Sequence, residues 1–444
     1  MSLAKPLKNS KGLIRNSTLI LLAFATAFFS RIVDSAGAPS AINFLHFVAI
    51  PYACGMALIK SRTRNQHQIT IVWSILAGLL VLLSVMLASA ILNNAGEINV
   101  ILDFLLLGEP FLLILALISL PITPISLEKL RTWLIRFGFA NLFFAAVQYV
   151  LFMVLGLHPK AGNPDYVQGV FYHSGAGHVV SASVSLTFGL YYFFGAKKAP
   201  LWLRLTVVSA TFLHMLLADA KQVLLSFLIA WALLFLTKFK SIFEAMKYVV
   251  PALLLGFIFL WCVQNVPAFG AFQTWARPDI YGSDGEATLL KSAAFRIIPT
   301  YFTSPFNWVL GLGPGHTVGR LGGWMIDTYW HLLGPLGATR HPASSAVWTA
   351  VGQSWLGNQS SMFSPLFGWA GIWGDLGYLG LAAYGYLGFL VWRYLCKDDF
   401  TKFLLLTVFV FGLIFSQMEE PGYMLFIAII IGLRWHDNRI RSVN

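Results

Sequence analysis

Charge is what this sequence has least of. Asp, Glu, Lys and Arg make up 11% of its 444 residues, where ordinary globular chains carry about 25%. Acidic residues are the scarcer sign, 18 against 30 basic. Such a chain lacks the polar surface that a water-soluble fold of this size needs. Cysteine is rarer still. Cys54, Cys262 and Cys396 fall in or at the ends of apolar runs, spaced as neither a metal site nor a disulfide framework, so they read as packing residues. There is no low-complexity tract and no coiled-coil heptad. No internal repeat of about 20 to 50 residues, which would signal a solenoid, is visible.

What is present is hydrophobic: 57% of residues, with a mean hydropathy of +0.72. Apolar runs of roughly 17 to 25 residues, the length that crosses a bilayer core as a helix, recur near 17–33, 38–59, 69–92, 99–121, 133–157, 176–195, 201–217, 222–237, 248–266, 375–392, 400–417 and 422–435. The pattern predicts an all-α fold, a polytopic membrane bundle of about twelve transmembrane helices. Nine lie in residues 1–266 and three in 375–444; between them, 267–374 forms one large extracytoplasmic loop.

Basic residues orient the bundle. With the N-terminus cytoplasmic, 22 of the 30 Lys and Arg fall on the cytoplasmic side, and the short outward loops keep only Arg31, Lys160 and Lys221. Both termini are then cytoplasmic. The net charge of +12 is mostly this topology signal, so no nucleic-acid partner is expected. A cleaved signal peptide is the competing reading of the first run, because Lys5 to Arg15 resembles a basic leader and "AGA" at 36–38 a cleavage site. Arg31 and Asp34 fit that poorly, and an uncleaved helix is the better reading.

The long loop is neither charge-rich nor simple. It carries Arg277, Lys291, Arg296, Arg320, Arg340, His316, His331 and His341 among many aromatic residues, including Trp308, Trp324, Tyr329, Trp330 and Trp348. Rings of that kind favour the headgroup level, so the loop is expected to lie against the membrane surface, with 319–337 as a short interfacial helix. "GLGPG" at 311–315 lacks the G-K-[ST] of a Walker loop and the spacing of a dinucleotide fingerprint. As an outward loop beside an arginine it suits a lipid-linked phosphate, with Gly313 and Gly315 as candidate contacts. "LADAKQVLLSF" at 217–227 puts Asp219 and Lys221 at a helix start, where a lysine opposes the helix dipole. Either the two pair with each other, or Lys221 and the free N–H groups of the first turn hold phosphate oxygens. "DYVQGVFYHSGAGHVVSASVSL" at 165–186 runs into a span with His173 and His178 at its entrance. Five residues apart, these do not share a helix face for a metal.

Together these stretches resemble the O-antigen polymerase and O-antigen ligase superfamily of membrane glycosyltransferases. "VQGVFYHSGAGHVVSASVSL" is similar to its G-x-F stretch, and "DAKQVLLSF" to its S-R-x-x-x-L stretch, with Lys221 in the arginine's place. "FRIIPTYFTSPFNWVLGLGPG", followed by "WGDLGYLGLAAYGYL" at 373–387, resembles its loop arginine, G-x-G stretch and closing acidic helix. The match spans roughly residues 140–395 in the family's order. It implies glycan transfer from an undecaprenyl-pyrophosphate-linked donor to a glycan or lipid-linked acceptor at the outer face of a bacterial cytoplasmic membrane. No metal and no cofactor are implied, and other polysaccharide assembly proteins are expected as neighbours. By that resemblance Arg296 helps bind the donor diphosphate and stabilises the charge developing on it, with Lys221 as a second cation; Arg320, Arg340 and His173 are further candidate substrate contacts.

One departure matters. The ligases carry a histidine about nine residues before the closing acid, whereas this chain reads "QSSMFSPLFGWAGIWGD" there, which favours a polymerase or a divergent exopolysaccharide or capsule branch. From the residues themselves the candidate general base is His331, oriented by Asp327 four positions earlier on one helical face, with His316 and His341 as rivals. The alternative class is a lipid-linked glycan flippase or proton-coupled carrier. Asp103, Glu109, His46 and His214 lie within apolar runs, and "LLGEPFLL" at 106–113 reads as an interrupted helix.

Overall fold

The structure, a computed structural model, describes residues 16–61, 65–120, 122–157, 162–238, 242–275, 278–359, 363–365 and 367–441. The basic leader Lys5 to Arg15, Lys160 and Arg277 lie outside them. Among the described residues there are helices and no strand. The long ones are α1 (Asn16–Phe28), α2 (His46–Ile59), α3 (Gln66–Asn93), α4 (Glu97–Ser119), α5 (Pro124–Gln148), α6 (Gly177–Gly195), α7 (Leu201–Leu217), α8 (Lys221–Leu236) and α9 (Ile242–Asn265). After α10 (Glu286–Ile297) and α11 (Pro342–Gly352) come α12 (Gly368–Tyr394), α13 (Asp399–Ile414) and α14 (Pro421–Arg441).

Local chemistry sets several of these ends. Asn65 caps α3 by accepting from the Gln68 N–H at 3.1 Å, and the left-handed Asn94 (φ 53°) closes it. Thr123 caps α5 just before Pro124, and Asp398 caps α13. Among the described residues four segments are long and apolar enough to cross a membrane: Ser40–Ile59, Gln66–Asn93, Glu97–Ser119 and Pro124–Val154. Asn16–Phe28, Leu201–Leu217, Lys221–Leu236 and Val249–Asn265 are apolar but shorter. The interruption expected at Glu109–Pro110 is absent: α4 runs through Pro110 without a break.

The core is built around α4 and α14, which pack on each other and bury almost every residue of their apolar stretches. Against them lie α1, α2 and α3, with α12 on α3 and α13 on α8. Side chains such as Trp73, Leu80 and Ile91 on α3 and Leu253 and Phe257 on α9 face outward, an apolar surface far beyond what a water-soluble monomer shows.

Between α9 and α12 no described helix exceeds the 12 residues of α10. This segment does more than lie along a surface. It folds on a core of its own, in which α10 and α11 bury Leu290, Ala294, Val347 and Val351 with Ile298, Phe363 and Trp373. The single interfacial helix expected over 319–337 is a correction. The stretch is a wide turn over Leu321–Met325, a short turn Ile326–Thr328, a break at Tyr329 (φ −110°, ψ 24°) and a second turn Trp330–Leu333. Tyr329 breaks it because its ring is buried with Phe47, Leu102 and Leu106 of α2 and α4, and its hydroxyl meets Arg31 and Asn43.

Lys291 fastens this segment to the bundle. Its ammonium donates to the carbonyl of Ile414 at the end of α13 (2.9 Å) between the rings of Phe367 and Phe415. A cation suits a helix C-terminus, yet no carboxylate pairs with it among the described residues, and burial pushes its amine down to about 7. The neutral amine is therefore the form the fold prefers. As pH falls from the ordinary lysine range toward 7, the unfolded chain takes a proton that the folded chain refuses, so stability declines over that window and levels off below it. Lys291→Met is expected to raise the unfolding temperature of the detergent-solubilised protein by a few degrees at pH 7, and the gap to wild type should close toward pH 10.5. A pH-independent gap would contradict this account.

Candidate functional site

Residues 312–321 are all buried, an unusual condition for a loop, and the sequence explains how it is met. Gly311, Gly313 and Gly315 have φ of +72°, +108° and +68°, which only glycine adopts without strain. A Cβ on Gly311 would sit 2.3 Å from the backbone of Asp375, and one on Gly377 the same distance from that of Val309, so the loop and α12 touch backbone to backbone. Leu312 N–H donates to the Gly374 carbonyl (2.8 Å) and Gly313 N–H to that of Asp375 (3.0 Å). The Asp375 carboxylate accepts from Gly315 N–H (2.9 Å), Thr317 N–H (2.7 Å) and the Thr317 hydroxyl (2.6 Å). The loop's carbonyls go to Asn93, Asn307 and Asn99. Gly313 and Gly315, expected to meet a phosphate, thus have their amides turned onto a residue of the chain itself. What fills this glycine loop is the side chain of Asp375.

Pinning that loop delivers Arg320. Its guanidinium, 5% exposed, pairs through one nitrogen with Glu420 and reaches Ser174 (3.4 Å) with the same one; it also lies 5.0 Å from the Trp324 ring centre. The Arg320 N–H is bonded to Glu419. Burial pushes the Glu419 carboxyl up to about 8, the Arg320 N–H opposing, so it is mostly neutral at pH 7 while Glu420 balances Arg320.

Arg320 and Glu420 stand in the wall of a cavity of about 640 Å³, within the range of small-molecule sites. Three remote segments enclose it: 163–180, residues of 320–365 including Trp324 and Trp348, and the 415–420 turn between α13 and α14. The first is held in strained form. His173 (φ 59°) and Ala176 (φ 53°) are left-handed without being glycine, a cost tolerated where surrounding bonds over-determine it. Gln168 holds His173, accepting from its N–H (2.7 Å) and donating to the Asp165 carbonyl (2.7 Å), while its own N–H is held by Gln148 (2.8 Å). Gln417, also in the wall, has a buried carbonyl oxygen with no partner, an acceptor for a ligand hydroxyl or amide.

Two sequence candidates, His173 and Arg320, line this cavity. The others do not. Arg296 is exposed and bonds back to Ser292 and the Leu289 carbonyl of its own helix. Lys221 pairs with Asp219 at 2.5 Å, which answers the dipole conflict locally. Asp327 does not orient His331: it pairs with Arg340 (2.8 Å), whose guanidinium lies 3.8 Å from the Trp330 ring centre, and His331 is exposed. The expected dyad fails because the break at Tyr329 removes the helical spacing it assumed. Of the rivals, His316 is held at both ring nitrogens by Leu312 and Thr339, with burial pushing it down to about 4; His341 caps α11. Of the polar groups within apolar runs, His46 and Glu109 bond each other (2.8 Å) and His214 bonds Ser185 (2.9 Å), while Asp103 keeps one oxygen without a partner.

Sequence reasoning missed Asp375, Glu419 and Glu420 as site residues, although "MEEPG" at 418–422 sets two adjacent carboxylates against an apolar run, which is itself a signal. No group of three or more His, Cys, Asp or Glu suited to a metal ion occurs among the described residues. Compared with known protein families and with characterised proteins, the chain matches none. Asp375→Ala would strand two N–H groups and a hydroxyl, each worth about 1–3 kcal/mol when buried unpaired. It is expected to lower the unfolding temperature and open a protease site within 311–320, and Asp375→Asn, which still accepts from Thr317 but sets an amide N–H against that of Gly315, should do so less. Unchanged protease resistance in Asp375→Ala would refute the clamp.

Proposed function

We propose that this protein is a membrane glycan transferase. It moves an oligosaccharide from undecaprenyl pyrophosphate to a sugar hydroxyl on the outer face of a bacterial cytoplasmic membrane, in O-antigen, capsule or exopolysaccharide synthesis. A polymerase of repeat units is the preferred form. One observation carries the reading. The segments that resemble the superfamily's G-x-F stretch and large loop, far apart in sequence, meet the 415–420 turn around a single chamber. Its walls combine indole rings, amides, hydroxyls, carboxylates and a buried guanidinium, the mixture that suits a ligand with both apolar ring faces and many hydroxyls.

Within this proposal Arg320 takes the role first given to Arg296. A guanidinium in a water-poor wall is placed to stabilise negative charge accumulating on a departing diphosphate, and its bonds to Glu420 and Ser174 occupy only one of its three nitrogens. Gln417, Asn163 and Tyr166 offer hydrogen bonds to sugar hydroxyls, and Trp324 and Trp348 offer ring faces.

The test is the length distribution of lipid-linked and surface polysaccharide in cells lacking the protein and complemented with variants. Arg320→Ala is expected to lower polymer output about a hundredfold or more and to leave single repeat units on the carrier outside the cell. Pairing it with Glu420→Gln removes the buried ion pair without stranding a charge. Arg296→Ala and Glu109→Gln are expected to support long chains. Accumulation of intermediates at the cytoplasmic face, with Glu109→Gln alone inactive, would instead identify a carrier.

A further inference from the structure

The chamber contains one histidine positioned against a carboxylate. His178, in the first turn of α6, lines the cavity with its side chain 7% exposed, and its Nε2 lies 3.6 Å from Oδ1 of Asp165, a half-exposed residue earlier in the same enclosing segment. Asp165 is fixed from behind, since Asn163 accepts from its N–H (2.9 Å) and Gln168 donates to its carbonyl (2.7 Å). A small shift would close the gap to a hydrogen bond, and such bonds are often long before substrate arrives. Helix α6 is fixed as well: Gly177 has no room for a Cβ, which would stand 2.4 Å from the Phe171 carbonyl oxygen and 2.9 Å from the Gln168 side chain.

We propose that His178, positioned by Asp165, is the general base of the transfer reaction. The inference rests on the glycan-transferase reading. The acceptor hydroxyl oxygen forms a bond to the anomeric carbon of the donor sugar, and the bond from that carbon to the diphosphate oxygen breaks with its electron pair leaving on the diphosphate. The hydroxyl proton passes to the imidazole, whose positive charge the Asp165 carboxylate balances, and is then released to water. The lipid diphosphate leaves with one additional negative charge, which Arg320 in the same wall is placed to meet. The other titratable or charged groups around the imidazole are Asp219, close enough to act on it electrostatically and itself paired with Lys221, and, in the cavity lining, Tyr166, His173, Arg320 and Glu420. Asp165 is a positioning residue here, and His178 would be the catalytic one.

The experiment uses right-side-out membrane vesicles whose own lipid-linked repeat units serve as donor, with chain growth followed from pH 5 to 9. In wild type the rate should fall on the acid side as one proton blocks the base. His178→Ala and the better-filling His178→Gln should each lower the rate about a hundredfold or more and abolish that acid limb, while the purified variants retain the wild-type elution profile and co-purifying lipid-linked glycan. Asp165→Asn should lower the rate about tenfold and move the acid limb to lower pH, because a neutral neighbour no longer favours the imidazolium; a merely structural Asp165 would leave the limb in place. If His178→Gln polymerises at the wild-type rate with the wild-type pH profile, the base assignment is overturned and the transferase reading stands. If wild-type vesicles holding donor make no polymer, both fall together.

Discussion

The carboxylate of Asp375 and the amides of the 311–317 loop are the contact on which the rest of this structure depends. A helix bundle in lipid satisfies its own backbone, but an irregular segment wedged into it does not unless every N–H and C=O finds a partner. Here the partners are a single aspartate, its neighbouring carbonyls and three asparagines. Glycines at 311 and 377 let two backbones approach within distances that a Cβ would forbid. With that clamp formed, residues 318–321 are drawn against the 417–420 turn, and Arg320 is inserted between Glu419, Glu420 and Trp324.

The electrostatics of the chamber follow from depth. One cation and one anion, Arg320 and Glu420, are compensated by contact, while Glu419, equally buried, stays mostly neutral at pH 7. A buried pair of this kind contributes little net stability against apolar replacements. What it supplies is a guanidinium held in a fixed orientation where water is sparse, the condition under which a single charge acts most strongly on a reacting group. The strain at His173, maintained by Gln168 and Gln148, belongs to the same pattern of stiff scaffolding around an open space.

The helices were legible because their causes are local. Apolar run length, capping residues such as Asn65 and Thr123, and charge at the run ends all act within a few residues, and the described residues are helical along these runs, four of their segments being long and apolar enough to cross a membrane. The site was less legible. Lys221 with Asp219 could be read either way, and the pair formed. His331 was chosen on helical spacing, which one buried tyrosine annulled. Arg296 and Arg320 are both loop arginines of the same segment, and nothing within a few residues of either reveals which one faces the bundle.

The sequence alone determined that this chain is helical and apolar enough to enter a membrane, and which stretches carry polar chemistry between its helices. Only the tertiary structure decided which of those groups meet. Periodicity and hydropathy are properties of neighbours along the chain, whereas the chamber joins residues 163–180, 320–365 and 415–420 through contacts between side chains hundreds of positions apart. Whether a glycine loop holds a ligand's phosphate or its own aspartate is settled by what packs opposite it, and that partner, Asp375, lies 60 residues further on.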